Sequence, residues 1–215
     1  MLLSELQGSV TENEGEKLKQ LATLSTHDIV EIGSYYGKST CYIASGAPAN
    51  IKVYAIDLWN LREITSNITI VKKKTKVKSA FDDSVLVEFK FQNDGSGNIA
   101  QRMLPETWNI FQQQICATGN EHKVIPIKAN SNEVAKLWSK PLSLLFIDGD
   151  HSYEQCLADY NNFAPFVIQN GYMAIHDYDT IHGYEVKQVV DEVIKKDNKW
   201  TKWEITDSLL TVRRL

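Results

Sequence analysis

The sequence predicts an α/β fold: a doubly wound, seven-stranded, mostly parallel sheet with a C-terminal antiparallel hairpin. Three observations lead there. Short β-branched runs alternate with helical periodicities along the chain, the first such run stops at a glycine-containing turn, and the last two are separated only by Asp207-Ser208. Strands alternating with helices build parallel βαβ units, whereas a two-residue link joins antiparallel neighbours.

Glu14 to Leu24 sets Leu18, Leu21, Ala22 and Leu24 at helical spacing, so an amphipathic helix is expected there, covering one sheet edge. His27 to Gly33 reads as a buried strand, Ser39 to Ala44 as a helix, and Ile51 to Asp57 as a second strand that ends on a carboxylate. Roughly Asn60 to Pro105 breaks the alternation and reads as an insertion, a lid or binding segment. Its lysines, Lys72, Lys73, Lys74, Lys76 and Lys78, suit a solvated face or an anionic contact, and Asn93 to Asn98 is a turn signal. Beyond a helix from Glu106 the alternation resumes. Strands are expected at Lys123 to Ile127, Leu142 to Asp148 and Tyr172 to His176, with helices at Asn132 to Trp138, Tyr153 to Phe163 and Tyr184 to Lys196. Thr201 to Thr206 and Leu209 to Arg213 form the closing hairpin.

With 215 residues, 43% hydrophobic and 23% charged, the chain fits one domain over residues 1–215. A net charge of -4 and a pI near 5.8 give no general attraction to nucleic acid or acidic lipid. Cys41, Cys116 and Cys156 are odd in number and far apart, which suits a reducing compartment. Neither a secretion leader nor a membrane-length apolar run is visible, so a cytoplasmic protein acting on a small molecule is expected, with homo-oligomerisation left open.

The turn after the first strand, Glu31-Ile32-Gly33-Ser34-Tyr35-Tyr36-Gly37-Lys38-Ser39, carries the strongest local signal. A phosphate-binding P-loop needs four residues between its first glycine and Gly-Lys-Ser, and here there are three. A dinucleotide fingerprint wants glycine where Tyr35 stands. S-adenosylmethionine has no phosphate and needs only room for its methionine part and ribose. The acidic residue and spaced glycines, Glu31, Gly33 and Gly37 with Ser34 between them, resemble the first motif of class I methyltransferases, Tyr35 departing from its central glycine. Asp57 ends the next strand where a carboxylate can accept ribose hydroxyls. The resemblance places Asn130 and Ser131 near adenine; Asn130 reads equally well as a helix N-cap.

The most distinctive stretch is Ile147-Asp148-Gly149-Asp150-His151, followed by His176-Asp177-Tyr178. Together with the earlier motif these resemble a family related to catechol and macrolide-sugar O-methyltransferases. The resemblance implies a Rossmann-like fold, S-adenosyl-L-methionine as cofactor and a small-molecule hydroxyl, a sugar's first of all, as acceptor. His176 and His151 are then candidate bases and Asp148 lies at both the cofactor and the acceptor. In metal-dependent relatives, strand-end oxygen ligands hold magnesium or manganese; carried over, these positions are Asp148, His176 and Asp177, with a histidine where an oxygen ligand is usual. Tyr35, Tyr36 and Tyr178 are candidate walls, and Asp150 serves either a ligand or the start of the following helix. A P-loop-like nucleotide hydrolase and a noncatalytic cofactor-binding module are the rival readings.

Overall fold

The computed structural model describes residues 2–59, 70–71, 90–91, 105–180 and 183–215. In chain order the elements are α1 (Glu12–Thr23), β1 (Asp28–Ile32), α2 (Lys38–Gly46), β2 (Val53–Asp57), β3 (Ile70–Val71), β4 (Lys90–Phe91), α3 (Pro105–Ala117), β5 (Val124–Lys128), α4 (Ser131–Ala135), β6 (Leu142–Ile147), α5 (Tyr153–Phe163), β7 (Val167–Ile175), α6 (Tyr184–Glu192), β8 (Trp200–Thr206) and β9 (Leu209–Arg214). β3 and β4 form a separate antiparallel pair. The lysine run from Lys72 to Lys78 and the turn at Asn93 to Asn98 lie outside the described residues, as does the expectation that this insertion is a lid.

The main sheet runs β5-β2-β1-β6-β7-β9-β8. Its first five strands are parallel, and β9 and β8 close it antiparallel, as the alternation and the Asp207-Ser208 link predict. From β1 the chain steps outward to β2 and β5, then crosses back to β6 and β7. The strand order therefore switches direction between β1 and β6, and a crevice opens beyond their carboxyl ends.

Period-two alternation assigns the core. Ile29, Leu144, Phe146 and Ala174 pack with Leu18 and Leu21 of α1, Ile43 of α2 and Phe111 of α3. Val30, Leu145, Met173 and Ile175 pack on the other face with Phe163 of α5 and Val189 of α6. With both faces covered, β6 is buried from end to end and reads as a continuous apolar run.

Three details differ from the sequence reading. Rather than covering an edge, α1 lies against α2 and reaches β6 and β8, because its fully buried Leu18 and Ala22 need a face to pack on. It also starts at Glu12, since Thr11 is the N-cap: its hydroxyl accepts from Glu14 N at 3.2 Å while Glu14 Oε2 accepts from Thr11 N at 2.8 Å. β7 begins at Val167, ahead of the expected start at Tyr172, and carries an irregularity inside the strand with Asn170 at φ 67°.

Level strand ends set the crevice. Ile32 pairs with Ile56 and Ile147, and Ile147 with Ile175, so Gly33, Asp57, Asp148 and His176 leave the sheet at one edge. Gly33 has φ 89°, and a Cβ built there would lie 1.9 Å from the Asp148 carbonyl oxygen and 2.8 Å from Gly149 Cα. Only a residue without a side chain lets the two loops meet. Gly119 has φ 70° with nothing within 4 Å of its Cβ position. Gly33→Ala is therefore expected to cost roughly 2–4 kcal/mol and Gly119→Ala about 1 kcal/mol, the difference measuring crowding against backbone strain. Urea unfolding of the two variants makes the comparison, and equal losses would show that the loops do not need this contact.

Candidate functional site

The loop after β1 is organised from below by Glu31. Its fully buried carboxyl accepts from Ser34 Oγ at 2.9 Å, from Ser39 Oγ at 2.5 Å and from the Thr40 hydroxyl. Glu31 thus holds the loop and the first turn of α2, whereas the pocket-facing groups are the loop's own. Gly37 caps α2 with φ 86°, pressed against Phe111. Tyr35 adopts φ 44°, a left-handed conformation in a non-glycine residue. Its N–H donates to Asp57 Oδ2 at 2.8 Å, and Asp57 Oδ1 accepts from Trp59 N at 2.7 Å.

Beyond β6 and β7 lies a charged cluster. His176 is 5% exposed, with Nε2 3.1 Å from Glu14 Oε2. Its Nδ1 sits 3.1 Å from Asp148 Oδ1 and 3.3 Å from Asp177 Oδ2, close enough to pair charges although neither contact is aligned as a hydrogen bond. Burial pulls His176 down, but Asp148, Asp177 and Glu14 outweigh it and raise the imidazole to about 12. Burial likewise raises Glu14, yet hydrogen bonds from His176, Ser208 and Thr11 bring it to about 2. Asp177, lowered chiefly by His176, is turned toward the cluster by its own left-handed φ of 57°. His151 is different: its side chain is 37% exposed, its Nε2 lies 3.2 Å from Asp177 Oδ2 and 3.9 Å from Asp148 Oδ1, and those carboxylates raise its pKa.

Asp148, His151 and Asp177 each offer a donor atom within 4.8 Å of the others. That spread suits three ligands of one divalent cation, and a donor set of two carboxylates and an imidazole suits manganese better than magnesium. The expected imidazole was that of His176, which is buried behind the same two carboxylates; the group within reach of both on the more open side is His151.

The remaining expected residues divide. Asn130 is the N-cap of α4, its side chain accepting from Asn132 N at 2.9 Å. Ser131 is buried and donates to Asp159 Oδ1 at 2.6 Å. Asp150 accepts from Ser152 N at 2.8 Å, at the entry to α5. Tyr35 is exposed, its ring tilted by 31° against that of Tyr36 at a centroid distance of 3.8 Å, and Tyr178 is buried.

Sequence reasoning passed over three participants. Gly8, Ser9 and Val10 line a pocket with the glycine loop and Asp148. Gln114 of α3 fixes that N-terminal segment, its Oε1 accepting from Gln7 N at 2.6 Å and its Nε2 donating to Gln7 O at 3.0 Å and Tyr36 O at 2.7 Å. Glu14 was within reach of the sequence only as the fourth residue of a Thr-x-x-Glu capping box.

A protein-family model described as a methyltransferase domain matches residues 30–178. Among solved structures, an O-methyltransferase from Bacillus cereus in complex with S-adenosylhomocysteine is similar at TM-score 0.63 and 11% identity, over 96% of this chain and 82% of that one. The O-methyltransferase TomG from Streptomyces achromogenes, in complex with S-adenosylmethionine, gives 0.62 and 12% over 96% and 81%. An rRNA methylase from Streptococcus thermophilus gives 0.58 and 14% over 97% and 99%. These identities speak for the fold.

The buried Glu31 makes stability depend on pH. Burial raises its carboxyl from an ordinary 4.5 to about 7, the three hydroxyls and Asp148 modifying that shift. A raised acid binds its proton more tightly folded than unfolded, so its contribution is complete below pH 4.5, falls as the pH climbs to about 7, and is flat above. The loss amounts to about 3 kcal/mol across that window. Glu31→Gln cannot ionise, so its melting temperature should decline less between pH 5 and pH 8 than wild type. Parallel thermal curves for the two proteins would mean that Glu31 keeps one protonation state throughout.

Proposed function

The chain belongs to the methyltransferase domain family and is an S-adenosylmethionine-dependent methyltransferase, and from its site we propose that it methylates a hydroxyl oxygen of a small molecule, a sugar hydroxyl foremost. The observation carrying this reading is the meeting of Asp148, His151 and Asp177 at the strand ends beside the pocket of the glycine loop. Gly33, Gly37 and Asp57 would hold the donor, Asp57 through the ribose hydroxyls. The acceptor oxygen attacks the sulfonium methyl carbon, the carbon–sulfur bond breaks, S-adenosylhomocysteine leaves, and the hydroxyl proton passes to a base. His151 is the imidazole open to solvent; Asp177 orients it and stabilises its charged form. We assign His176 to positioning: buried and paired with three carboxylates, it holds Asp148 and Asp177 in place.

A divalent cation fits Asp148, His151 and Asp177 and would lower the pKa of a bound hydroxyl. His151 is central either way, as ligand or as base, and chelation separates the two. Two carboxylates and an acidic net charge favour a neutral or cationic acceptor over a polyanion.

The test is transfer of labelled methyl from S-adenosylmethionine to panels of sugar and phenol hydroxyls and to RNA. Transfer to oxygen of a small acceptor is expected, with turnover falling by roughly two to four powers of ten in His151→Ala. If His151 is a base, a chelator changes little; if it is a ligand, chelation stops turnover and manganese restores it. Label entering RNA and none of the small acceptors would overturn the assignment, and so would near-normal turnover in chelated His151→Ala.

A further inference from the structure

The loop after β1 lacks the glycine that its conformation calls for. Tyr35 at φ 44° sits in the left-handed region, where the Cβ of an L-residue crowds its own carbonyl oxygen. A closed circuit of three hydrogen bonds opposes that crowding. Tyr35 N donates to Asp57 Oδ2 at 2.8 Å, the Trp59 indole Nε1 donates to Tyr35 O at 2.8 Å, and Trp59 N donates to Asp57 Oδ1 at 2.7 Å. Trp59 itself holds φ 28° and is 2% exposed, packed on Trp108 at 4.7 Å and on Phe111 at 4.6 Å. Phe111 is also the residue against which Gly37 is pressed. One aromatic cluster thus fixes the indole and the far end of the same loop.

We propose that Trp59 is a positioning residue for the cofactor: its indole N–H holds the Tyr35 carbonyl and its backbone N–H holds the Asp57 carboxylate, so loop and carboxylate share one geometry. This rests on the reading that Asp57 receives the ribose. Each Asp57 oxygen accepts one backbone N–H and keeps a second acceptor site, leaving two for a pair of neighbouring hydroxyls. Without the indole N–H, Tyr35 relaxes toward negative φ, its N–H swings off Asp57, and the carboxylate loses its fixed orientation. The circuit takes over what glycine does elsewhere by having no side chain.

Trp59→Phe keeps an aromatic ring against Trp108 and Phe111 and removes the donor. Calorimetry with S-adenosylhomocysteine should show affinity about tenfold weaker, the loss of one partly buried hydrogen bond. The KM for S-adenosylmethionine should rise in step while kcat at saturating donor stays within about twofold. Adding Tyr35→Gly should recover most of the lost affinity, because glycine holds positive φ unaided. Trp108→Phe, in the same cluster but outside the circuit, should bind as wild type does. A purely structural Trp59 would instead lower the melting temperature of Trp59→Phe, leave its affinity unchanged and gain nothing from Tyr35→Gly; that result overturns the proposal. Should Trp59→Phe not fold, hydrogen exchange on wild type decides: the Tyr35 amide and Trp59 indole should gain protection together on ligand binding, and an unresponsive indole overturns it. Wild type that fails to bind S-adenosylhomocysteine would refute the cofactor reading itself, an outcome distinct from all of these.

Discussion

The contact of Gly33 with the Asp148 backbone is the constraint from which the site follows. β1 and β6 are neighbours at the point where the strand order reverses, and their loops leave the same edge of the sheet. A side chain at Gly33 would force those loops apart, because the Asp148 carbonyl occupies the volume a Cβ needs. With the loops touching, a pocket formed by the glycine loop reaches Asp148. The glycine-loop side of the crevice and the charged side are thereby joined by backbone packing.

Charge organises the other half. A histidine buried among three carboxylates avoids the cost of isolated buried ions, since each charge offsets another's desolvation. The grouping also ties distant parts of the chain. Glu14 comes from α1, and its Oε1 accepts from Ser208 N at 2.8 Å and Ser208 Oγ at 2.7 Å in the β8–β9 turn. The N-terminal helix and the C-terminal hairpin therefore meet behind His176. His151, half exposed and joined to the same carboxylates, is left as the group that faces outward.

Much of this was legible. An apolar run ending on Asp148, and another ending on His176-Asp177, place polar groups at strand ends because parallel strands buried on both faces tolerate polarity only where they stop. The strand-glycine turn located the loop and Asp57 lay beside it. The different surroundings of the two histidines were not legible, since the burial of His176 and its third carboxylate depend on a helix far away in sequence. Asn130 read equally as a ligand group or a helix N-cap, and it does cap α4, while the bond from Ser131 to the buried Asp159 depends on packing that the local sequence does not show. Glu31 resembled a motif residue facing the ligand, and only the packing of α2 shows its carboxyl enclosed by hydroxyls.

Backbone strain separates the site from the rest of the fold. Tyr35, Trp59, Asp177 and Asp179 all carry positive φ, and all stand on loops at the carboxyl edge of the sheet, together with Gly33 and Gly37. Among the other described non-glycine residues with positive φ, Asn170 and Lys202 sit at strand irregularities and Asp207 in the hairpin turn, where local geometry accounts for them. At the edge, Tyr35 is held from a distance by Asp57 and Trp59, whereas Asp177 is held by its chain neighbours His176 and Thr180, whose hydroxyl donates to its Oδ1 at 3.3 Å. Strain that persists only because its surroundings over-determine it marks positions where the orientation of a group matters more than the ease of reaching it. At this edge the groups so oriented are the carboxylates of Asp57 and Asp177.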